Sequence, residues 1–137
     1  MALPKEKFEK IKSKIQKFID HEMVAHEHYL SFNNKFADHL SFLEEKRNMV
    51  RDMGLFAPQI PKEHGGLGLS LHQLGQIYEV LGKTFYGLYV FNCQAPDAGN
   101  MEILIEHGTD YQKETFFKPL VEGKVRSCFS MTEPEFA

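Results

Sequence analysis

The chain has 137 residues, enough for one domain with a single hydrophobic core. Its hydrophobic share of 42% and charged share of 26% are typical of a soluble globular protein. The net charge of -3, with basic residues spread along the chain, argues against a nucleic-acid surface, and no apolar run approaches the ~18 residues of a membrane span. Cys93 and Cys128 have no CxxC partner, so we expect them to be reduced, intracellular, and packed rather than reactive.

Two amphipathic helices are predicted in the first part of the chain. Apolar residues at three- and four-residue steps from Phe8 to Ile19 predict the first helix. A second helix is predicted from Phe36 through Val50, and Gly54 is a natural stop for it.

A glycine-rich loop follows these helices. Residues 54–70 hold too many helix breakers to be helical, and the sequence HGGLGLS precedes a predicted helix as a phosphate-binding loop would. It lacks the lysine of a Walker loop and the preceding strand of a dinucleotide fingerprint. We therefore predict a structural turn in which Gly65, Gly66 and Gly68 adopt positive φ angles.

Capping boxes mark the start of two later helices. Ser70 with Gln73, and Thr109 with Gln112, each place a hydroxyl three residues before a glutamine. A short helix is predicted between them at residues 101–107.

Only residues 125–131 have strand character. The predicted fold class is therefore all-α, a compact bundle of about six helices with a short strand-like C-terminal tail. A lone strand needs partners to form a sheet, so this tail calls for residues that the bundle does not supply.

Two groups of polar residues invite a chemical role that their spacing does not support. In the sequence HEMVAHEH, His21 and His26 are five residues apart and do not share a helix face, so we predict no metal site. We predict instead an exposed helix with local ion pairing, for example between Glu22 and His26. Glu102 and Glu106 form an i,i+4 pair on what we predict to be a solvated helix face. The residues alone indicate a helical domain and no reaction.

Two stretches resemble the acyl-CoA dehydrogenase family. Residues 91–137 contain in order HGT, QKETFF, PLVEGK and SMTEP, which resemble the junction of that family's N-terminal helical domain and middle β domain. Upstream, MGLFAPQIPKEHGGLGLS resembles the family's glycine-containing loop. The resemblance covers about residue 44 to the C terminus, and FNCQAPDAGNME is most similar to a subgroup that in some proteins is fused to a phosphotransferase-like domain. It implies an N-terminal helical domain at 1–124 and the start of the middle β domain, truncated, at 125–137.

The resemblance also implies part of a cofactor site. In family members FAD accepts a hydride from the β-carbon of an acyl-CoA thioester, a carboxylate removes the α-proton, and a strand lies along the flavin. A hydroxyl at the position of Thr132 bonds near the reactive nitrogen, and residues around 91–100 help to wall the acyl cavity. The cofactor-binding residues implied here are Phe129, Ser130, Met131, Thr132, Glu133 and Pro134.

The family pattern continues beyond the motif into a segment with serine and aspartate, where this chain has Glu135, Phe136 and Ala137. Family members carry the catalytic carboxylate further downstream, so no catalytic residue is assigned. We expect the parent protein to be an FAD-dependent acyl-CoA dehydrogenase and this chain alone to be inactive. The alternatives are a non-catalytic helical interaction domain derived from such an enzyme, or an unrelated helical bundle.

The resemblance finally implies partners and a location. The parent would bind an acyl-CoA substrate and an electron-acceptor flavoprotein, with no nucleic acid and no membrane span. Apolar surface left by a missing β domain would favour a homo-oligomer. The location implied is intracellular, in mitochondria or peroxisomes.

Overall fold

The computed structural model describes residues 2–30, 35–131 and 133–135, in which two compact units are distinguished, 1–93 and 94–137. The described residues form helices and turns and no strand, so the predicted all-α class is confirmed. Among these same residues, no helix combines the length and the apolar character needed to cross a membrane.

The first unit contains both helices predicted for the early part of the chain. Its helices are α1 (Lys5–Phe18), α2 (Phe36–Asp52), α3 (Leu71–Leu81) and α4 (Gly87–Val90). The helix α1 continues through a π-helical turn (Ile19–Met23) and a 3-10 turn (Val24–His26), and a further 3-10 turn lies at Lys62–His64. Gly54, two residues after α2, has a φ of +67° and ends the helix as predicted.

The core of the first unit lies between α1 and α3 and between α2 and α4, which pack against each other in these pairs. The α1 side chains that recur every three or four residues, Phe8, Ile15 and Phe18, are buried in this core. The Phe18 ring meets Phe91 edge to face with centroids 5.6 Å apart. Periodicity in the sequence therefore identifies the buried face of α1 correctly.

Gln73 connects the start of α3 to the N-terminal segment. The predicted capping box is present, because the Ser70 hydroxyl accepts from the Gln73 amide at 3.3 Å. The Gln73 side chain also accepts from the Leu3 amide at 3.0 Å and donates to the Leu3 carbonyl at 2.8 Å. One glutamine thus caps its own helix and holds a segment 70 residues away in sequence.

The glycine-rich loop is a structural turn, but its three glycines have different roles. Gly65 and Gly68 have φ angles of +90° and +60°, as predicted. The prediction of a positive φ at Gly66 is wrong. A Cβ atom there would lie 1.9 Å from the Ile60 carbonyl oxygen, so glycine is required by close backbone approach.

Arg47 is a charged residue at the centre of the first unit, with only 1% of its surface exposed. Its guanidinium donates to the Tyr89 carbonyl at 2.5 Å and to the Asn92 side-chain oxygen at 3.4 Å, and it pairs with Glu44 at 3.1 Å. The same group lies over the rings of Phe56 and Tyr89, 4.9 and 4.7 Å from their centroids. These contacts fasten α2 to α4 and to the residues that follow it.

The side chain of Glu22 is paired with α2. Its carboxylate accepts from the Lys46 ammonium at 2.8 Å, and Glu45 accepts from the same ammonium at 2.9 Å. Burial lowers the pKa of Lys46, but hydrogen bonding to Glu22 and Glu45 outweighs burial, so the net shift of this pKa is upward. The predicted local partner of Glu22, His26, is replaced by a lysine 24 residues further along the chain.

The second unit contains α5 (Asp97–His107), α6 (Asp110–Gln112), a π-helical turn (Lys113–Phe117) and α7 (Lys118–Val121). The last three form one continuous helical segment, and α5 packs against its π-helical turn and against α7. The apolar side chains buried in this unit are Met101, Phe117 and Leu120. Thr109 caps α6 through the predicted box with Gln112, while α5 begins one turn earlier than residue 101.

Candidate functional site

The predicted flavin segment begins in an exposed part of the chain, and the strand predicted at residues 125–131 is not formed. Residues 126–131 have no helix or strand pairing, and the Met131 amide donates to the Phe129 carbonyl at 3.1 Å. Phe129 and Met131 are 59% and 74% exposed. Glu133 and Pro134 are exposed as well, whereas Thr132 lies outside the described residues.

A buried carboxylate holds the chain immediately before this segment. Asp97, in the first turn of α5, has no exposed surface. It accepts from Arg126 Nε at 2.5 Å, from the Ser127 amide at 2.8 Å, from the Ser127 hydroxyl at 2.6 Å and from Gln94 Nε2 at 2.6 Å. Four donors around one carboxylate offset the cost of removing its charge from water.

A second α5 residue reinforces this attachment. The Asn100 side-chain amide donates to the Ser127 hydroxyl at 2.9 Å and to the Cys128 carbonyl at 3.3 Å. Asp97 and Asn100 are three residues apart and therefore lie on one face of α5. We name the set Gln94, Asp97, Asn100, Arg126 and Ser127 the α5 anchor.

An apolar cleft of about 490 Å³ lies beside the anchor. The exposed side chains of Ile103, Phe116 and Val125 contribute to its walls, together with the anchored residues 126–128. Exposed apolar surface of this kind is typical of sites that a ligand or another part of a protein covers.

Residues 91–100, which the resemblance implies to wall an acyl cavity, do not share one environment in the structure. Phe91 and Asn92 are buried inside the first unit, and the side chain of Asn92 bonds to Arg47. Asp97 and Asn100, at the other end of that range, belong to the α5 anchor instead. The resemblance therefore indicated residues 91–100 as part of a site, but it did not indicate that Asp97 holds the C-terminal segment. A signal was present in the sequence, since an aspartate among the uncharged residues of CQAPDAGN is a candidate for a paired buried acid.

The other polar groups considered in the sequence do not form a site. Glu102 and Glu106 are exposed on α5, as predicted for a solvated face. His21 and His26 lie in the π-helical and 3-10 turns after α1 rather than in a regular helix. Within residues 2–30, 35–131 and 133–135, no three histidine, cysteine, aspartate or glutamate side chains are grouped so as to hold a metal ion.

The two cysteines have opposite environments. Cys93 is buried, its thiol lies 3.6 Å from the Leu88 carbonyl oxygen, and burial raises the pKa of this thiol. Cys128 is exposed, so the expectation that both cysteines are packed is wrong for this residue. Its position on the exposed C-terminal chain explains the difference.

Thiol labelling should separate these two cysteines. Because the thiolate is the reactive form, and burial disfavours it at Cys93, we expect a thiol reagent at mildly alkaline pH to modify Cys128 alone in the native chain and both residues after denaturation. Mass spectrometry of the labelled peptides measures this, with Cys128→Ser as the control that removes native reactivity. Equal labelling of both thiols in the native chain would contradict the buried position of Cys93.

Comparison with known proteins identifies a matching family model and relatives of this chain. The family model described as "Acyl-CoA dehydrogenase, N-terminal domain" matches residues 5–124. Acyl-CoA dehydrogenase family member 10 of Mus musculus is 36% identical over 136 residues, covering 93% of this chain and 13% of that protein. Acyl-CoA dehydrogenase family member 11 of Gallus gallus is 45% identical over 95 residues, covering 69% of this chain and 12% of that protein.

A solved structure gives the same result. A Mycobacterium abscessus protein described provisionally as an acyl-CoA dehydrogenase superposes with a TM-score of 0.83 at 32% identity, covering 98% of this chain and 36% of that one. The chain thus spans about an eighth of the length of the two curated relatives, 13% and 12%. With most of its length matched by the family model, the chain belongs to the acyl-CoA dehydrogenase family and corresponds to its N-terminal domain.

Proposed function

We propose that this chain is the N-terminal helical part of an FAD-dependent acyl-CoA dehydrogenase, which oxidises the Cα–Cβ bond of acyl-CoA thioesters. The observation that carries the proposal is the family match over residues 5–124. We further propose that residues 1–124 form the helical domain and that residues 125–137 begin the middle β domain. The end of the family match at residue 124 supports this boundary.

The described part of the C-terminal segment fits a role beside a flavin. The amides of Phe129 and Ser130 lie in this exposed part of the chain, and we propose them as hydrogen-bond donors to the flavin. The exposed apolar side chains of Phe129 and Met131 are suited to cover an aromatic ring system. We therefore assign residues 129–134 to the flavin site.

In this proposal, the residues of this chain bind the flavin and position it. When bound, FAD supplies the acceptance of a hydride from the substrate's β-carbon. Phe129 to Pro134 would hold the cofactor through backbone groups, and the hydroxyl of Thr132 would donate a hydrogen bond to it. Glu102 and Glu106 are exposed, and we assign neither of them as a catalytic base.

Flavin absorption tests the proposal directly. We expect the full-length protein to purify with FAD and to lose its oxidised-flavin absorption when an acyl-CoA is added without oxygen. We expect residues 1–137 alone to show neither property, because they correspond to about an eighth of the related proteins. A folded full-length protein that binds no FAD and oxidises no acyl-CoA would contradict the proposal.

Thr132→Val tests the assigned hydroxyl. The change keeps the β-branched shape and removes one hydrogen bond, worth about 1 kcal/mol, so we expect FAD binding or flavin reduction to weaken roughly fivefold. Equilibrium titration of apoprotein with FAD and stopped-flow reduction by acyl-CoA measure these effects. Thr115→Val, at an exposed position in the π-helical turn, is the matched control. Unchanged binding and reduction in Thr132→Val would remove the hydroxyl from the site.

The remaining family properties are part of the same proposal. An electron-acceptor flavoprotein would reoxidise the cofactor, the protein would form a homo-oligomer, and its location would be mitochondrial or peroxisomal. The alternative is a non-catalytic helical interaction domain, which would use the exposed apolar side chains around the cleft. Tight binding of a protein partner by a flavin-free full-length protein would favour that alternative.

A further inference from the structure

The buried carboxylate of Asp97 is unusual for the first turn of a helix. An acidic residue there commonly stabilises the unpaired amides at the helix start. At the start of α5, the preceding residue Pro96 makes no side-chain cap, and both oxygens of Asp97 are used by other groups. Three of its four donor groups belong to Arg126 and Ser127, about 30 residues away. The carboxylate therefore serves the C-terminal segment.

The anchor determines where the segment at 129–134 begins. Ser127 is held through its amide and its hydroxyl by Asp97, and through that hydroxyl by Asn100. The Cys128 carbonyl is held as well, at 3.3 Å from the Asn100 side chain. Phe129, the next residue, is 59% exposed, and its neighbour Cys128 is exposed as well. Among the described residues, the hydrogen bonds to α5 thus end at residue 128, directly before the proposed flavin segment.

We propose that Asp97 is a positioning residue for the flavin, acting through Arg126 and Ser127. It fixes the backbone at residues 126–128 and so restricts the positions that the amides of the following segment can take before FAD binds. This inference rests on the proposed function, because it needs residues 129–134 to contact FAD. Backbone donors that are held in place before binding lose less entropy when they bind, which raises affinity.

The test compares Asp97→Asn with Asp110→Asn in the full-length protein. Asp97→Asn keeps the side-chain shape but replaces one acceptor oxygen with a donor that faces Arg126 or Ser127. Asp110→Asn makes the same chemical change at an exposed position in α6 and is the control. Three readouts are taken: hydrogen exchange of the amides at 126–131, the dissociation constant for FAD, and the absorption spectrum of bound flavin. Thermal unfolding shows whether each variant is folded.

We expect Asp97→Asn to speed exchange at 126–131, to weaken FAD binding about tenfold and to alter the flavin spectrum, while Asp110→Asn changes none of these. Ser127→Ala is the second variant, used if Asp97→Asn fails to fold. It removes the hydroxyl bonds to Asp97 and Asn100 and leaves the carboxylate paired with Arg126, so a smaller loss of FAD affinity, about threefold, is expected.

The readouts separate the possible failures. Unchanged exchange at 126–131 in folded Asp97→Asn would overturn the anchor itself. Faster exchange with unchanged FAD affinity and spectrum would overturn the positioning role and leave a purely structural one. If the wild-type full-length protein binds no FAD, the proposed function fails and the positioning role with it, while exchange still reports on the anchor.

Discussion

Gly66→Ala should lower the free energy of unfolding of this chain by about 3 kcal/mol, because the added methyl group meets backbone rather than a movable side chain. Its Cβ would lie 1.9 Å from the Ile60 carbonyl oxygen and 2.4 Å from the Ile60 carbonyl carbon. Relief requires the loop to move, and that movement would break the bond from the Gly66 amide to the Pro61 carbonyl, now 3.1 Å. Urea unfolding followed by helical circular dichroism measures the loss.

Gly75→Ala is the matched control for this prediction. Gly75 is exposed in the middle of α3, and a Cβ there has open space around it. The same chemical change should therefore stabilise the chain, by up to about 1 kcal/mol, through helix propensity. Similar effects of the two substitutions would show that the close approach of Gly66 to Ile60 is not present in solution.

Arg47→Met should cost about 3 kcal/mol of unfolding free energy, although methionine fills much of the same space. The change leaves the Asn92 side-chain oxygen buried without this donor and the Tyr89 carbonyl with the Asn92 amide but not the guanidinium. It also removes a cation from above the Phe56 and Tyr89 rings. A buried acceptor without its donor costs about 1–3 kcal/mol. Chemical unfolding of the two chains under the same conditions provides the comparison.

Two further variants show whether geometry or charge is responsible. Arg51→Met removes a second arginine from α2, one turn later and 30% exposed, and should cost less than about 1 kcal/mol. Arg47→Lys keeps the charge but cannot reach the same set of acceptors with a planar group, so most of the loss should remain. Full stability in Arg47→Lys would mean that charge alone stabilises this part of the core.

Several elements of the fold follow from local patterns. The buried face of α1 is predicted because Phe8, Ile15 and Phe18 repeat with the period of a helix. Both capping boxes, at Ser70 and Thr109, are predicted because their hydrogen bonds join residues three apart. In these features the interacting residues are only three or four positions apart, so a short stretch of sequence contains both partners of each interaction.

Other features could not be predicted in this way. The requirement for glycine at position 66 arises from Ile60, which the fold of the loop brings against it. Lys46 was not predicted to pair with Glu22, because nothing in periodicity indicates which charged faces of α1 and α2 will meet. The proposed flavin residues 129–134 come from family resemblance, and their role stays a prediction.

By itself, the sequence determined that this protein is helical, where α2 ends, where α3 and α6 begin, and which family its motifs resemble. Helix periods and caps act over a few residues, and family motifs are recognised from their order in the sequence, so none of this required coordinates. Only the tertiary structure decided that Arg47 lies in the core and that Asp97 holds Ser127. Those bonds join residues 30 or more positions apart, and a buried charge is tolerated only where folding assembles all its partners around it.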